Sequence, residues 1–142
     1  MQENAQPAVV GVHHLAIQVR DLPGAERFYV EALGLRVLQR WPWPPEAAGR
    51  QGDRSVWVSV GPGDAQFLAL EACDESPPDT AFRDPRGGLH LLALRIAPGE
   101  RARWEERLAR LGIEVVHRSR WTLYLRDPEG NRVGLSHHPE DG

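Results

Sequence analysis

The chain contains no lysine; all 17 of its basic residues are arginine. That absence excludes Schiff-base catalysis and the phosphate-binding lysine of nucleotide loops. There is one cysteine, Cys73, so no internal disulfide can form, and a reducing cytoplasm is the expected location. No histidine is placed near that thiol by sequence, and it reads as a small apolar residue rather than a nucleophile. No stretch approaches the roughly 20 apolar residues of a membrane span. Met1–Val12 lacks the basic start and apolar run of an export signal. Positive charge is not in excess either. A net charge of -3 gives no reason to expect nucleic acid or a membrane surface as partner.

What is present is an ordinary globular composition, 41% apolar and 26% charged over 142 residues, enough for one domain. The chain is organised around Val12–Leu35. His14, Ala16 and Gln18 alternate with Leu15, Ile17 and Val19, the period of a strand. Asp21 stands at a helix N-cap position with Pro23 just inside. Leu22, Ala25, Phe28, Tyr29, Ala32 and Leu33 recur at helical spacing, and Gly34 offers the stop. The same figure returns at Leu89–Val115, with Trp104, Leu108 and Leu111 as the apolar stripe. Helices are predicted at about Gly24–Leu33 and Glu100–Leu111. The repeat reads as an internal duplication of one strand–helix–strand–strand–strand unit.

The remaining strands are predicted at Leu35–Trp41, Ser55–Val60 and Ala65–Cys73, then at Glu114–Arg118, Arg120–Arg126 and Arg132–His137. Asp127–Asn131 (DPEGN) is a tight turn, and WPWPP after Trp41 stops a ladder. The boundaries are module one at about 10–74, a linker at about 75–88 and module two at about 89–138, all within a single domain, 1–142.

The stretch HHLAIQVRDLPGAERFYVEALGL, with the closing RDPEGNRVGL, resembles the vicinal oxygen chelate superfamily: glyoxalase I, bleomycin-resistance proteins and extradiol dioxygenases. The resemblance runs from about Val10 to His138. It implies an α+β fold of two βαβββ modules forming an open, cup-shaped mixed sheet with helices on the outer face. It also implies homodimers, in some members with modules exchanged between chains. Many members hold a divalent metal with one residue from each module's first strand and one from each module's last strand.

On that pattern His14 matches the first position, five residues before Val19, and Glu71 is the candidate from the last strand of its module. The two are expected to be neighbours. In module two, aligning Ile96 with Val19 puts Leu91 opposite His14 and turns His90 toward the helix layer, unless a bulge near Gly87–Gly88 rotates it inward. The fourth position is Gly134, which has no side chain to offer. Two ligands, His14 and Glu71, fall short of the three that a catalytic site uses. His13 is expected to pack near the helices, and His137 with His138 to form a solvated pair.

The sequence therefore leads to a small-molecule binding protein with an incomplete metal site and no resident cofactor. The alternative is a divalent-metal-dependent enzyme of the same superfamily, a glyoxalase-like lyase or isomerase or a ring-cleaving dioxygenase. Whether the chain is catalytic stays open, and no catalytic residue is assigned. Strand parity offers His14, Gln18, Trp57, Glu71, Arg95, Tyr124 and Arg126 as ligand contacts. The expected ligand is a planar, partly aromatic molecule, neutral or anionic, under a stiff lip made by WPWPP, with Arg95 or Arg126 holding any anionic group.

Overall fold

The computed structural model describes residues 6–75 and 87–141. The linker expected at about 75–88 lies almost wholly outside them. Module one runs β1 (His14–Val19), α1 (Leu22–Glu26), β2 (Val37–Pro42), β3 (Asp53–Ser59) and β4 (Phe67–Ala72). Module two runs β5 (Leu92–Arg95), α2 (Arg101–Arg110), β6 (His117–Arg118), β7 (Thr122–Arg126) and β8 (Arg132–Ser136). The sheets have the orders β1-β4-β3-β2 and β5-β8-β7-β6. In each, the first strand runs parallel to the last and every other pairing is antiparallel. This is the α+β fold of two open βαβββ modules, and the duplication read from the sequence holds strand for strand.

Local chemistry sets the elements. The Asp21 carboxylate accepts from the Gly24 amide at 3.0 Å and caps α1. Beyond Glu26 the helix widens into a π-helical stretch, Arg27–Ala32, where the Leu33 amide reaches back to the Phe28 carbonyl at 3.0 Å. The wider turn brings the adjacent Phe28 and Tyr29 to the core together, both buried. The period-3.6 pattern gave no sign of this widening. Both helical segments stop at a glycine in the left-handed region, Gly34 at φ 79° and Gly112 at φ 73°, as the Leu-Gly repeat predicts. The strand expected over Glu114–Arg118 is shorter than read, with only His117 and Arg118 in the ladder.

One apolar core joins the modules. Leu22, Phe28, Tyr29, Val58 and Leu70 from module one meet Leu94, Leu108, Leu125, Val133 and Leu135 from module two. Polar ties cross the same junction. The Glu129 carboxylate accepts from the backbone amides of Arg20 and Asp21 at 2.8 and 3.4 Å. The Arg107 guanidinium donates to the carbonyls of Ala32 and Glu31 at 3.0 and 2.7 Å, capping the end of the first helical segment. Each sheet thus spends one face on the shared core and leaves the other open.

Candidate ligand-binding face

Register determines what the open face of module one presents. Trp41, Ser55, Glu71 and Gln18 stand side by side across the four strands. The next rung is Gln39, Trp57, Ala69 and Ala16, and the third brings Ser59, Phe67 and His14 together. Partners in a ladder share a face, so these residues form one wall. Its aromatic members run as a continuous line. Trp41 and Trp57 have ring centroids 5.2 Å apart, Trp57 and Phe67 are stacked at 4.4 Å, and Phe67 and His14 are stacked at 4.8 Å with planes 2° apart. Trp41 and His14, at the two ends, are exposed.

His13 does not join the helix layer as expected. It precedes β1, free of strand parity, and its ring lies edge-on to both His14 and Phe67, with the two histidine Nδ1 atoms 2.9 Å apart. At the other end, a cavity of about 440 Å³ is bounded by Trp41, Trp43, Arg54, Ser55, Trp57 and Glu71. The Ser55 hydroxyl is buried there without a hydrogen-bond partner. Trp43, from WPWPP, has the Arg50 guanidinium 4.7 Å from its ring centroid. Arg50 in turn grips Asp74 with two hydrogen bonds, which hold that carboxyl below its usual range. The lip is therefore fastened to the end of β4 by an exposed ion pair.

The open face of module two is built differently. Ala93, Gly134, Tyr124 and His117 share one rung, and Arg95, Ser136 and Thr122 the next. The Thr122 hydroxyl donates to Ser136 Oγ at 2.9 Å. Arg132 covers the Tyr124 ring at 4.3 Å, and Arg126 is its ladder partner. Leu91 lies against Gly134: a Cβ added at Gly134 would be 3.4 Å from Leu91 Cδ1 and 3.0 Å from Thr122 Cγ2.

The metal pattern does not fit these residues. His14 and Glu71 are not neighbours: Glu71 stands opposite Gln18, four residues along β1, or about 13 Å from His14. The residue beside His14 is Phe67, an apolar ring. With Val19 aligned to Ile96, the Ala16–Ala69 rung corresponds to Ala93–Gly134, so the closing-strand positions hold alanine and glycine. His90 has its Nε2 3.3 Å from an Arg132 nitrogen, and a guanidinium is a poor neighbour for a cation site. Among the described residues, no three His, Cys, Asp or Glu side chains gather closely enough to hold a metal ion.

The other sequence candidates are placed as follows. Arg95 and Arg126 are on module two's sheet, whereas Trp41, Trp43 and Trp57 belong to module one, and Arg95 donates to the His138 carbonyl at 3.4 Å. His137 is buried rather than solvated, 3% exposed, with Nδ1 against the Glu140 carbonyl; its backbone amide binds the Trp121 carbonyl and continues the strand inward. The Cys73 thiol is half-buried and meets the Glu75 carbonyl at 3.2 Å. A hollow of about 570 Å³ at the module junction has Arg36, already paired with Asp64, and Arg95 on its wall. Another of about 530 Å³, behind β3, is edged by Arg40 and Arg50, both in ion pairs. Ser55 and Phe67 were not among the contacts expected from the sequence. Only the register shows Phe67 against His14 and Ser55 beside Glu71.

Comparison with known proteins agrees with this architecture. Residues 11–135 match the family described as the Glyoxalase/Bleomycin resistance protein/Dioxygenase superfamily. No curated protein matches the sequence. A glyoxalase/dioxygenase from Nostoc punctiforme superposes with a TM-score of 0.72 at 26% identity, covering 96% of this chain and 100% of that one. A lactoylglutathione lyase from Agrobacterium tumefaciens gives 0.65 at 26% identity, with 92% and 96% covered. TnmS3, an antibiotic binding protein from Streptomyces sp. CB03234, gives 0.63 at 26% identity, with 93% and 98% covered.

Proposed function

We propose a function for this chain, which belongs to the Glyoxalase/Bleomycin resistance protein/Dioxygenase superfamily, from the wall of its open face, since the fold alone settles no reaction. The protein binds a flat, aromatic small molecule by stacking on the exposed rings that end the line Trp41–Trp57–Phe67–His14, and it does so without a metal. The observation that carries this reading is the stacked contact of His14 with Phe67, at 4.8 Å, where a metal site would need a second donor. Four rings packed on one another make a rigid base that loses little entropy on binding, and the exposed end rings supply the faces a ligand can cover.

The likeness to an antibiotic binding protein supports a binding role. The likeness to a lactoylglutathione lyase supports the fold; the metal-dependent reaction it would suggest lacks its donor set among the described residues. A homodimer belongs to the same reading. The faces carrying His14, Ala16 and Gln18, and Leu91, Ala93 and Arg95, are open in a single chain, and a second copy would turn them into a shared hollow.

The test is titration of planar aromatic compounds while following tryptophan emission, with light scattering for the oligomeric state. Quenching that saturates, and that Trp57→Ala weakens at least about tenfold, is expected. Binding that survives Trp57→Ala and Phe67→Ala unchanged would overturn the stacking surface.

A further inference from the structure

The wall of module one ends in a polar rung, and that rung has a preference of charge. Ser55 and Glu71 are ladder partners, with Trp41 on one side and Gln18 on the other. The Ser55 hydroxyl is buried, 6% exposed for the residue, and has no hydrogen-bond partner. Among the described residues the Glu71 carboxylate makes no ion pair and no side-chain hydrogen bond. Both residues line the cavity of about 440 Å³ that the indoles of Trp41, Trp43 and Trp57 also line. Arg54, next to Ser55 on β3 and so of opposite parity, also lines it. One face of Trp43 is already taken by Arg50 and one face of Trp57 by Phe67, which leaves Trp41 as the most open ring of the three.

Half-buried carboxylates are found with cationic partners, because an unpaired charge there forfeits hydration without return. Indole faces attract cations through the ring quadrupole. A carboxylate, an unused hydroxyl and two indoles around one hollow therefore ask for a donor-bearing positive group. Resting on the stacking function proposed above, we infer that the ligand is an organic cation. Its ammonium or amidinium group enters the Trp41–Trp57–Glu71 hollow and donates to Glu71 and Ser55, and its flat ring system rests on the exposed Trp41 ring. This reverses the expectation of a neutral or anionic ligand. That expectation relied on Arg95 and Arg126, which the fold places on the other module's sheet.

The experiment is calorimetric titration of the full chain with three planar probes of matched size at neutral pH: 9-aminoacridine, a cation; acridine, neutral; and 9-anthracenecarboxylate, an anion. The cation is expected to bind at least about tenfold tighter than the other two. Glu71→Gln should remove most of that preference while leaving acridine within about twofold of its original affinity, since the carboxylate acts on charge and the rings on shape. Ser55→Ala, a smaller lesion, should weaken the cation alone and serves if Glu71→Gln does not fold. If the preference survives both substitutions, or if the anion binds best, the cation inference is wrong while stacking stands. If no probe binds, stacking and inference fall together.

Discussion

The hydroxyl of Tyr29 donates to Oδ2 of Asp127 at 2.7 Å, across 98 residues of sequence and from one module to the other. Tyr29 is fully buried and Asp127 is 4% exposed. The same carboxylate accepts from the backbone amides of Glu129 and Asn131 and from the Asn131 side chain, at 2.9, 2.8 and 2.9 Å. It therefore organises the DPEGN turn and anchors it to the first helix. Removing one donor from a buried carboxylate costs more than the mean hydrogen bond. Tyr29→Phe is expected to destabilise the protein by about 1.5–3 kcal/mol at pH 7. Urea unfolding checks this; a loss below about 0.5 kcal/mol would show the contact to be incidental.

The same pair sets a pH dependence. Burial first, then the Asp127 charge and hydrogen bond, push the Tyr29 hydroxyl well above its ordinary value of 10.0. A group whose folded pKa is raised contributes stability that is complete below the unfolded value and is lost as pH climbs above it. Here that window opens at about pH 10, where the unfolded chain begins to release the phenolic proton and the folded chain does not. With no lysine present, few other groups titrate there. The native protein should lose stability between pH 9 and 11 by up to about 1.4 kcal/mol per unit more than Tyr29→Phe does. Parallel alkaline curves for the two would refute the assignment.

The sequence made the fold legible because its signals are local and repeated. The strand alternation at His14–Val19, the Asp21 cap, the Leu-Gly stops and the DPEGN turn each act within a few residues. Parity also put Trp57, Glu71 and Gln18 among the ligand contacts, and the register sets them on one face. What it could not supply is register between strands more than fifty residues apart. Whether Phe67 or Glu71 stands beside His14 is settled by the way β4 slides against β1, which depends on the whole core. The widening of the first helix was hidden for a related reason, since it follows from packing Phe28 and Tyr29 together and not from helix propensity. His137 looked solvated only because it adjoins His138 near the chain end; the Trp121 carbonyl draws it in.

Gly134 is where two side chains converge, and its smallness is a packing requirement. An added Cβ would be 3.0 Å from Thr122 Cγ2. Thr122 is buried and its hydroxyl is tied to Ser136 at 2.9 Å, so its methyl has nowhere to rotate. Gly134→Ala should therefore destabilise by about 1 kcal/mol, even though alanine ordinarily gains over glycine in a strand. Thr122→Ser removes the methyl and keeps the hydroxyl. On that background the cost of Gly134→Ala should vanish, and a double-mutant cycle that shows additivity instead would place the strain elsewhere.

The last expectation concerns metal. The positions that would face one another across a shared site hold His14, Ala69, Leu91 and Gly134, and only the first can donate. Glu71 is about 13 Å from His14 along the strands, beyond any common ion whose ligand bonds are about 2 Å. The adjacent His13 and His14 imidazoles have no third His, Cys, Asp or Glu beside them among the described residues, and such a pair binds first-row divalent ions only weakly. Protein purified without chelators should then contain far less than one zinc, manganese, nickel or iron per chain by elemental analysis. Thermal unfolding gives an independent reading. A ligand present at 100 times its Kd stabilises the folded state by about 2.7 kcal/mol. In a chain of this size that corresponds to a rise in Tm of about 8 °C. Added zinc or manganese should move Tm by less than about 1 °C, and His14→Ala should leave even that response unchanged. A stoichiometric metal, or a large shift that His14→Ala abolishes, would restore the metal-dependent enzyme as the better account of this fold.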